Sequence, residues 1–201
     1  MQLKNTTLLL LTCGLLIGCN GESNAASPIG KSNLCIPRDQ LLSLGSNQDT
    51  EEFDSPPHVY EAFSVSWKEM QAQVPGYKGI WEVNGHPQYS SLHVTITEQK
   101  DTQTSPFPDK PYLIDDAVPS LKGARPDKVI MWDVFEGTRE QHGFWGYCSF
   151  EQFQQQGPVE CTRRLSAYGL SFEYRVHQEN LKLYPEIDLF LLNKLQKMEC
   201  E

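Results

Sequence analysis

The six cysteines of this 201-residue chain limit its fold more than any other feature of the sequence. Cys13 lies within an apolar N-terminal stretch and Cys19 ends it, while the other four are spread between positions 35 and 200. Two disulfides among those four would force distant parts of the chain to within about 7 Å of each other. Whether they pair depends on the redox compartment, and the N-terminal stretch predicts that compartment.

The N-terminal sequence predicts a signal peptide for export. Lys4 supplies a positive charge, and residues 8–17 form an apolar run of ten residues. A membrane-spanning helix needs about 20 apolar residues, so this run is too short to remain as an anchor. The run closes with the letters LIGC at 16–19, which resemble the lipobox of bacterial lipoproteins. A secretory signal that is cleaved elsewhere is the alternative.

The lipobox resemblance implies that residues 1–18 are a signal peptide and that Cys19 carries the lipid. Two or three acyl chains anchor a protein firmly, because each buried methylene contributes about 0.8 kcal/mol. In bacterial lipoproteins, an Asp directly after the lipidated Cys resembles a signal for retention in the inner membrane. This chain has Asn20 at that position. The resemblance therefore implies attachment to the outer membrane, with the domain facing the periplasm. Residues 19–34 are small and polar and predict a flexible lipidated tether, and residues 35–201 are long enough for a single domain.

The charge of the chain excludes one class of partner. The formal net charge is −9, which argues against nucleic acid and against anionic lipid surfaces. Four acidic residues follow one another closely and predict an acidic face: Asp49, Glu51, Glu52 and Asp54. Such a face would speed encounter with a basic protein, for example a basic toxin, although acidic surfaces also serve solubility alone.

Four exported thiols predict two disulfides, with three connectivities open. We favour Cys148 with Cys161, which are thirteen residues apart, and this leaves Cys35 to pair with Cys200. A zinc site is the alternative, but the sequence has no CxxC and no His at ligand spacing from a Cys. We therefore predict neither a metal nor a cofactor.

The apolar periodicity predicts an α+β fold. Strand patterns occur in HVYEAFSVSW, GIWEV, SLHVTIT, KVIMWDVF, GFWGYCSF and GLSFEYRV. The glycines of GFWGYCSF indicate a bulge or a close backbone approach. Near the C-terminus the period changes to that of a helix, with Pro185 at its first position. We expect an antiparallel sheet of about six strands, disulfide-stapled, with one long C-terminal helix packed on it.

Residues 98–127 hold five prolines and many charges, and they predict a long loop without strands. Loops of this length in a compact domain often have a function. The segment is therefore either a variable surface excursion or a binding loop that presents Phe107, Tyr112, Leu113 and Ile114.

The sequence shows no GxSxG, HExxH, phosphate-binding or EF-hand motif. His142 is the strongest acid–base candidate, because Asp133, Glu136 and Glu140 are close to it in the chain. A turn between two strands explains the same residues. We assign no catalytic residue and predict a protein that is not an enzyme.

The segments CIPRDQ and YGLSFEYRV…LYPEIDLFLLNKL resemble small cysteine-containing lipoproteins of Gram-negative envelopes. Some proteins of that appearance are immunity proteins encoded beside type VI secretion effectors. The resemblance implies a protein-binding module that neutralises an envelope-targeting toxin. An envelope hydrolase acting on peptidoglycan or lipid through His142, and a structural envelope lipoprotein, are the alternatives.

Overall fold

The computed structural model describes residues 29, 32–37, 40–42, 59–83, 85–99, 106–123, 131–150 and 159–200. Its strands are β1 (Val59–Val65), β2 (Ile80–Val83), β3 (His86–Tyr89), β4 (Leu92–Glu98), β5 (Tyr112–Leu113), β6 (Leu121–Gly123), β7 (Met131–Gly137), β8 (His142–Phe150), β9 (Val159–Ala167) and β10 (Leu170–His177). The helices are α1 (Trp67–Gln73), a 3-10 helix (Gln178–Leu183) and α2 (Tyr184–Gln196).

Eight of these strands form one sheet in the order β1-β4-β10-β9-β8-β7-β6-β5, and all neighbours are antiparallel. Strands β2 and β3 form a separate hairpin. The predicted α+β class, with an antiparallel sheet and a C-terminal helix, is confirmed. The sheet is larger than the expected six strands or so.

Alternation along the strands explains which side of the sheet carries the core. In β4 the buried residues Leu92, Val94 and Ile96 alternate with more exposed ones. In β10 Phe172, Tyr174 and Val176 belong to the same apolar core as α2. We call this side the covered face and the opposite side the open face. A strand buried on one face needs this period of two.

Helix α2 packs on the covered face in the way its sequence predicts. Pro185 lies in its first turn, where the missing N–H costs nothing. The buried side chains recur with helical spacing: Tyr184, Ile187, Leu191 and Leu195. Burial of an aliphatic side chain of this size contributes about 1.5–3 kcal/mol, so this stripe accounts for the docking of the helix.

Both disulfides of the favoured pairing are formed. Cys148 and Cys161 lie directly opposite each other on β8 and β9, with Cα atoms 4.0 Å apart. Cys35 and Cys200 join the two ends of the domain, with Cα atoms 5.1 Å apart. Backbone hydrogen bonds reinforce this second bridge, because Cys35 donates to Met198 at 2.8 Å and Cys200 donates to Asn33 at 2.7 Å.

Two residues of the predicted tether pack on the domain. Ile29 and Leu34 belong to the hydrophobic core, and Leu34 forms a β-bridge with Glu199. Both side chains are apolar, and the backbone N–H of Ile29 donates to the carbonyl of Leu34, the neighbour of Cys35 in the chain, at 2.9 Å. Residues 19–28, 30 and 31 of the predicted tether, which include the expected lipidation site Cys19, lie outside the described residues, as does the predicted leader.

Two further sequence expectations need correction. The proline-rich stretch contains β5 and β6, because its prolines fall outside those two short strands. Trp67 begins a helix instead of ending a strand, since the Ser66 side chain accepts a hydrogen bond from the Glu69 backbone at 3.2 Å. Ser followed by Glu three residues later is a helix-capping signature that marks this start in the sequence.

The β2–β3 hairpin is held at its base by a buried side chain. The amide of Asn180, which is only 1% exposed, accepts from the backbone N–H of Lys78 at 2.8 Å. It also donates to the carbonyl of Lys78 at 2.9 Å. Tyr77 donates its hydroxyl to the Ser90 carbonyl at 3.1 Å, on the other side of the hairpin. The two Asn180 hydrogen bonds connect the hairpin to the C-terminal half of the chain.

Candidate functional site

A concavity with a volume of about 700 Å³ lies where β8 and β9 separate. Residues from the end of β7, the β7–β8 turn, the start of β8 and the end of β9 line it, among them Glu136, His142, Gly143, Phe144, Arg163, Arg164 and Ser166. A hollow of this size is typical of ligand sites. We call it the β8–β9 opening.

A bulge in β8 produces the opening. Strand β7 pairs Val134 with Gly146 and then Phe135 with Phe144, so Trp145 is an extra residue on β8. A bulge bends its strand and increases the local twist. At this point β8 leaves β9, whose pairing with β8 begins only at Gly146. The bulge expected from the glycines of this segment is therefore confirmed.

Gly146 is required at the bulge by a close backbone contact. A Cβ atom at this position would lie 2.1 Å from the carbonyl oxygen of Thr162 on β9. By contrast, a Cβ at Gly143 would meet no atom within 4 Å, because Gly143 borders the open space. Gly146 therefore allows the close contact between β8 and β9 at the bulge, and Gly143 leaves the space of the opening unfilled.

Arg163 occupies the point where the two strands diverge. Its Nη1 donates to the carbonyl of Trp145 at 3.0 Å, which satisfies a backbone acceptor near the bulge. Its Nη2 lies 2.8 Å from Oδ2 of Asp188 on α2, and its Nε lies 3.0 Å from the same oxygen. Tyr174 donates to the other carboxylate oxygen of Asp188 at 2.5 Å. Burial, and then the charge of Asp188, raises the pKa of Tyr174 well above its ordinary value.

Glu136, on the wall of the opening, also has an internal partner. It accepts a hydrogen bond of 2.5 Å from the hydroxyl of Tyr184, the first residue of α2. Burial, followed by this hydrogen bond, raises the pKa of Tyr184 to about 12. The Tyr184 ring packs edge-on against Trp145, with centroids 5.5 Å apart. The carboxylate thus helps to fix the start of α2 on the sheet.

On the open face, Arg164 lies over the ring of Phe144, with 5.3 Å between its guanidinium carbon and the ring centroid. Its Nε donates to Glu173 at 2.7 Å, and Nη2 contacts the same carboxylate at 2.5 Å. Phe144 continues into an aromatic group that contains Phe107, Phe135 and His142. A planar guanidinium above an aromatic ring has a fixed orientation.

The chemistry available to His142 is limited by its surroundings. Its Nδ1 lies 3.2 Å from the carbonyl of Arg139, and its ring lies 5.0 Å from Phe107. In the described part of the chain, no hydrogen bond joins His142 to Glu136 or to a hydroxyl of the opening. The two residues do line the same hollow. The other charged groups of the hollow, Glu136, Arg163 and Arg164, have internal partners.

The proposed binding-loop residues lie in different environments. Ile114 is 5% exposed and belongs to the core, and Phe107 is half-buried against Phe135 and His142. Leu113 is half-buried in β5, and Tyr112 contributes its backbone to the same strand. Phe107 approaches the opening through its contact with His142. The four acidic residues proposed as an acidic face lie outside the described residues.

Sequence analysis missed the residues that organise this site. Arg163 and Arg164 were visible as a basic pair, but the strand that holds them was not predicted. Asp188 lies four residues after Tyr184 and three before Leu191, so it falls on the buried stripe of α2. A carboxylate on an apolar helix face signals a buried partner, and that signal could have led to Arg163.

Within the described ranges, no three His, Cys, Asp or Glu side chains converge on a point where they could hold a metal ion. None of the helices in those ranges has the length and apolarity to span a bilayer. A scan against protein-family models and searches of curated proteins and of solved structures found no match to the chain.

Proposed function

We propose that this protein is a lipoprotein anchored in the outer membrane through Cys19, whose periplasmic domain binds another protein. An immunity role against an envelope-targeting toxin is the most specific form of the proposal. The single observation that carries it is the β8–β9 opening, which is preformed and whose charged groups Glu136, Arg163 and Arg164 are all held by internal partners. A rigid surface of this kind loses little entropy on binding.

Two other properties support an exported binding protein. The two disulfides suit an oxidising compartment, because cytosolic proteins rarely keep such bonds. The net charge of −9 suits a basic partner, since opposite charges accelerate association. The lipobox-like leader supplies the anchor in this proposal.

Co-expression with the toxin encoded by a neighbouring gene tests the immunity role. We expect the full-length protein to restore growth and to co-purify with that toxin. The variant Cys19→Ser should still bind the toxin in detergent extracts but should lose membrane attachment and protect less well. The immunity role is wrong if the protein neither binds nor neutralises any toxin encoded beside it.

A hydrolase is the second candidate, and the observation in its favour is that His142 and Glu136 line one hollow. A carboxylate and an imidazole in one site can act as acid and base. This candidate predicts turnover of peptidoglycan sacculi or phospholipid that His142→Ala abolishes. Equal turnover by the variant and the unaltered protein would exclude the assignment.

A further inference from the structure

We propose that the β8–β9 opening binds its protein partner by accepting an extended segment of that partner as an added strand. This inference rests on the proposed function, and it specifies how the same site would recognise its partner. The inference names the main-chain groups of the opening that would bind the partner, whereas the proposed function states only that a protein is bound.

The argument begins with pairing inside the sheet. Strand β8 pairs with β7 on both sides of the bulge, from His142 to Ser149. Its pairing with β9 covers only the part from Gly146 onward. Strand β9 continues as far as Ala167, but residues 164–167 pair with β10 alone. Among the described residues, each strand therefore has one edge without a partner strand, and the two edges face the same opening.

In the described structure, few other groups form hydrogen bonds with the main chain of these two edges. None of the backbone hydrogen bonds outside the ladders involves residues 142–145 or 164–167. The carbonyl of Trp145 is the exception to this lack of partners, because the side chain of Arg163 donates to it. Unpaired strand edges are templates for another strand, since each missing hydrogen bond can be restored by a chain that pairs with it.

The space at the opening fits an extended backbone. Gly143 and Ser166 are exposed on its two sides, and nothing lies within 4 Å of a Cβ built at Gly143. A side chain at position 143 would narrow the approach to the β8 edge. Strand addition needs this kind of access, because main-chain groups must come within about 3 Å of each other.

The side chains beside the edges indicate which segment would fit. Arg164 uses Nε and Nη2 for Glu173, which leaves Nη1 available on the open face. The neighbouring ring of Phe144 offers an apolar surface. A segment with an acidic or amide side chain two positions away from an apolar one would satisfy both, since residues i and i+2 of a strand lie on the same face.

The test uses a display library of random peptides of about ten residues, the upper length of an ordinary strand. Peptides are selected on the full-length protein purified in detergent, and the best binder is then studied by amide hydrogen exchange. We expect slower exchange in residues 142–145 and 164–167 of the protein. N-methylation of alternate peptide positions should weaken binding by about three- to tenfold each, because each removes one main-chain hydrogen bond. The intervening positions should tolerate it.

Two variants that each introduce a tryptophan provide the test and its control. Gly143→Trp fills the opening and should abolish peptide binding, whereas Ala72→Trp, on the exposed side of α1, should not affect it. The proposal is overturned if no peptide is enriched, if protection lies elsewhere, or if all N-methyl positions are tolerated equally. A toxin that is bound without protection of these amides would refute strand addition and leave the proposed function standing.

Discussion

Arg163 of β9 and Asp188 of α2 form an ion pair across the covered face, with Nη2 and Oδ2 separated by 2.8 Å. Their side chains are only 12% and 14% exposed. The pair joins the place where β8 and β9 diverge to the helix that covers the sheet. The shape of the opening and the position of α2 therefore depend on the same contact.

We expect Asp188→Ala to lower the free energy of unfolding by about 3–5 kcal/mol, because it leaves a buried guanidinium without its counter-charge. Urea denaturation measures this change. The double variant Asp188→Ala, Arg163→Met should recover part of the loss. Asp109→Ala, which removes the exposed partner of Arg139, should cost less than about 1 kcal/mol. Similar losses for the buried and exposed carboxylates would contradict the prediction.

Stability should fall in alkaline solution as the pH rises from about 10 to about 12. Burial and the Glu136 hydrogen bond raise the pKa of Tyr184 from 10.0 to about 12, and the pKa of Tyr174 is raised in the same direction. Below pH 10 both states hold the proton and the stabilisation is complete. Above it the unfolded chain ionises first, so unfolding becomes easier.

Urea denaturation across this pH interval measures the effect. The variant Tyr184→Phe should flatten the decline, since phenylalanine has no proton to lose. Tyr89→Phe is the matched control, because that ring is 59% exposed, and it should leave the decline unchanged. A Tyr184→Phe profile as steep as that of the unaltered protein would refute the assignment.

Gly146→Ala should destabilise the protein by about 1–3 kcal/mol or more, because its Cβ would come within 2.1 Å of the Thr162 carbonyl oxygen. Gly143→Ala should change the stability by no more than about 0.5 kcal/mol, since its Cβ meets open space. Thermal and urea denaturation of the two variants measure the difference. If both glycines tolerate alanine equally, the bulge is not held by this contact.

Removal of the bridge between the ends of the domain should be costly. Cys35 and Cys200 are 165 residues apart, and a loop of that length corresponds to about 4–5 kcal/mol in the chain-entropy account. The double variant Cys35→Ala, Cys200→Ala should show this loss in urea denaturation. Lys197→Ala, an exposed change in the same region, should stay within about 0.5 kcal/mol. A loss below about 1 kcal/mol would mean that the ends are held together without the bridge.

Asn180→Ala should release the β2–β3 hairpin. It removes both hydrogen bonds to the Lys78 backbone and leaves buried polar groups unpaired, at a cost of about 1–3 kcal/mol. Amide exchange in β2 and β3 should accelerate more than exchange in β10. Asn193→Ala, on the exposed side of α2, should alter neither. Unchanged hairpin exchange in Asn180→Ala would show that the hairpin has other supports.

Much of the fold could be predicted because its signals are local. The alternation of Leu92, Val94 and Ile96 defines the buried side of β4 without reference to any other strand. The helical spacing of Ile187, Leu191 and Leu195 does the same for α2. Each pattern lies within one element, so the backbone period alone relates it to burial.

Strand β9 was missed because its sequence is polar at the centre. Arg163 faces the covered side, where an arginine is expected only if it has a partner. That partner, Asp188, lies 25 residues later and reaches it only after α2 has docked. A strand whose stability depends on a distant charge has no local signature.

By itself, the sequence determined the α+β class, the dominant strands and the C-terminal helix, and it favoured the observed cysteine pairing. These follow from backbone periodicity and from the number and spacing of the thiols. Only the tertiary structure decided where the sheet opens and which charges are held there. The opening depends on a one-residue offset at Trp145 between β7 and β8, and on the Arg163–Asp188 pair between a strand and a helix. Register and buried ion pairs are relations between separate elements, so they exist only once those elements have packed.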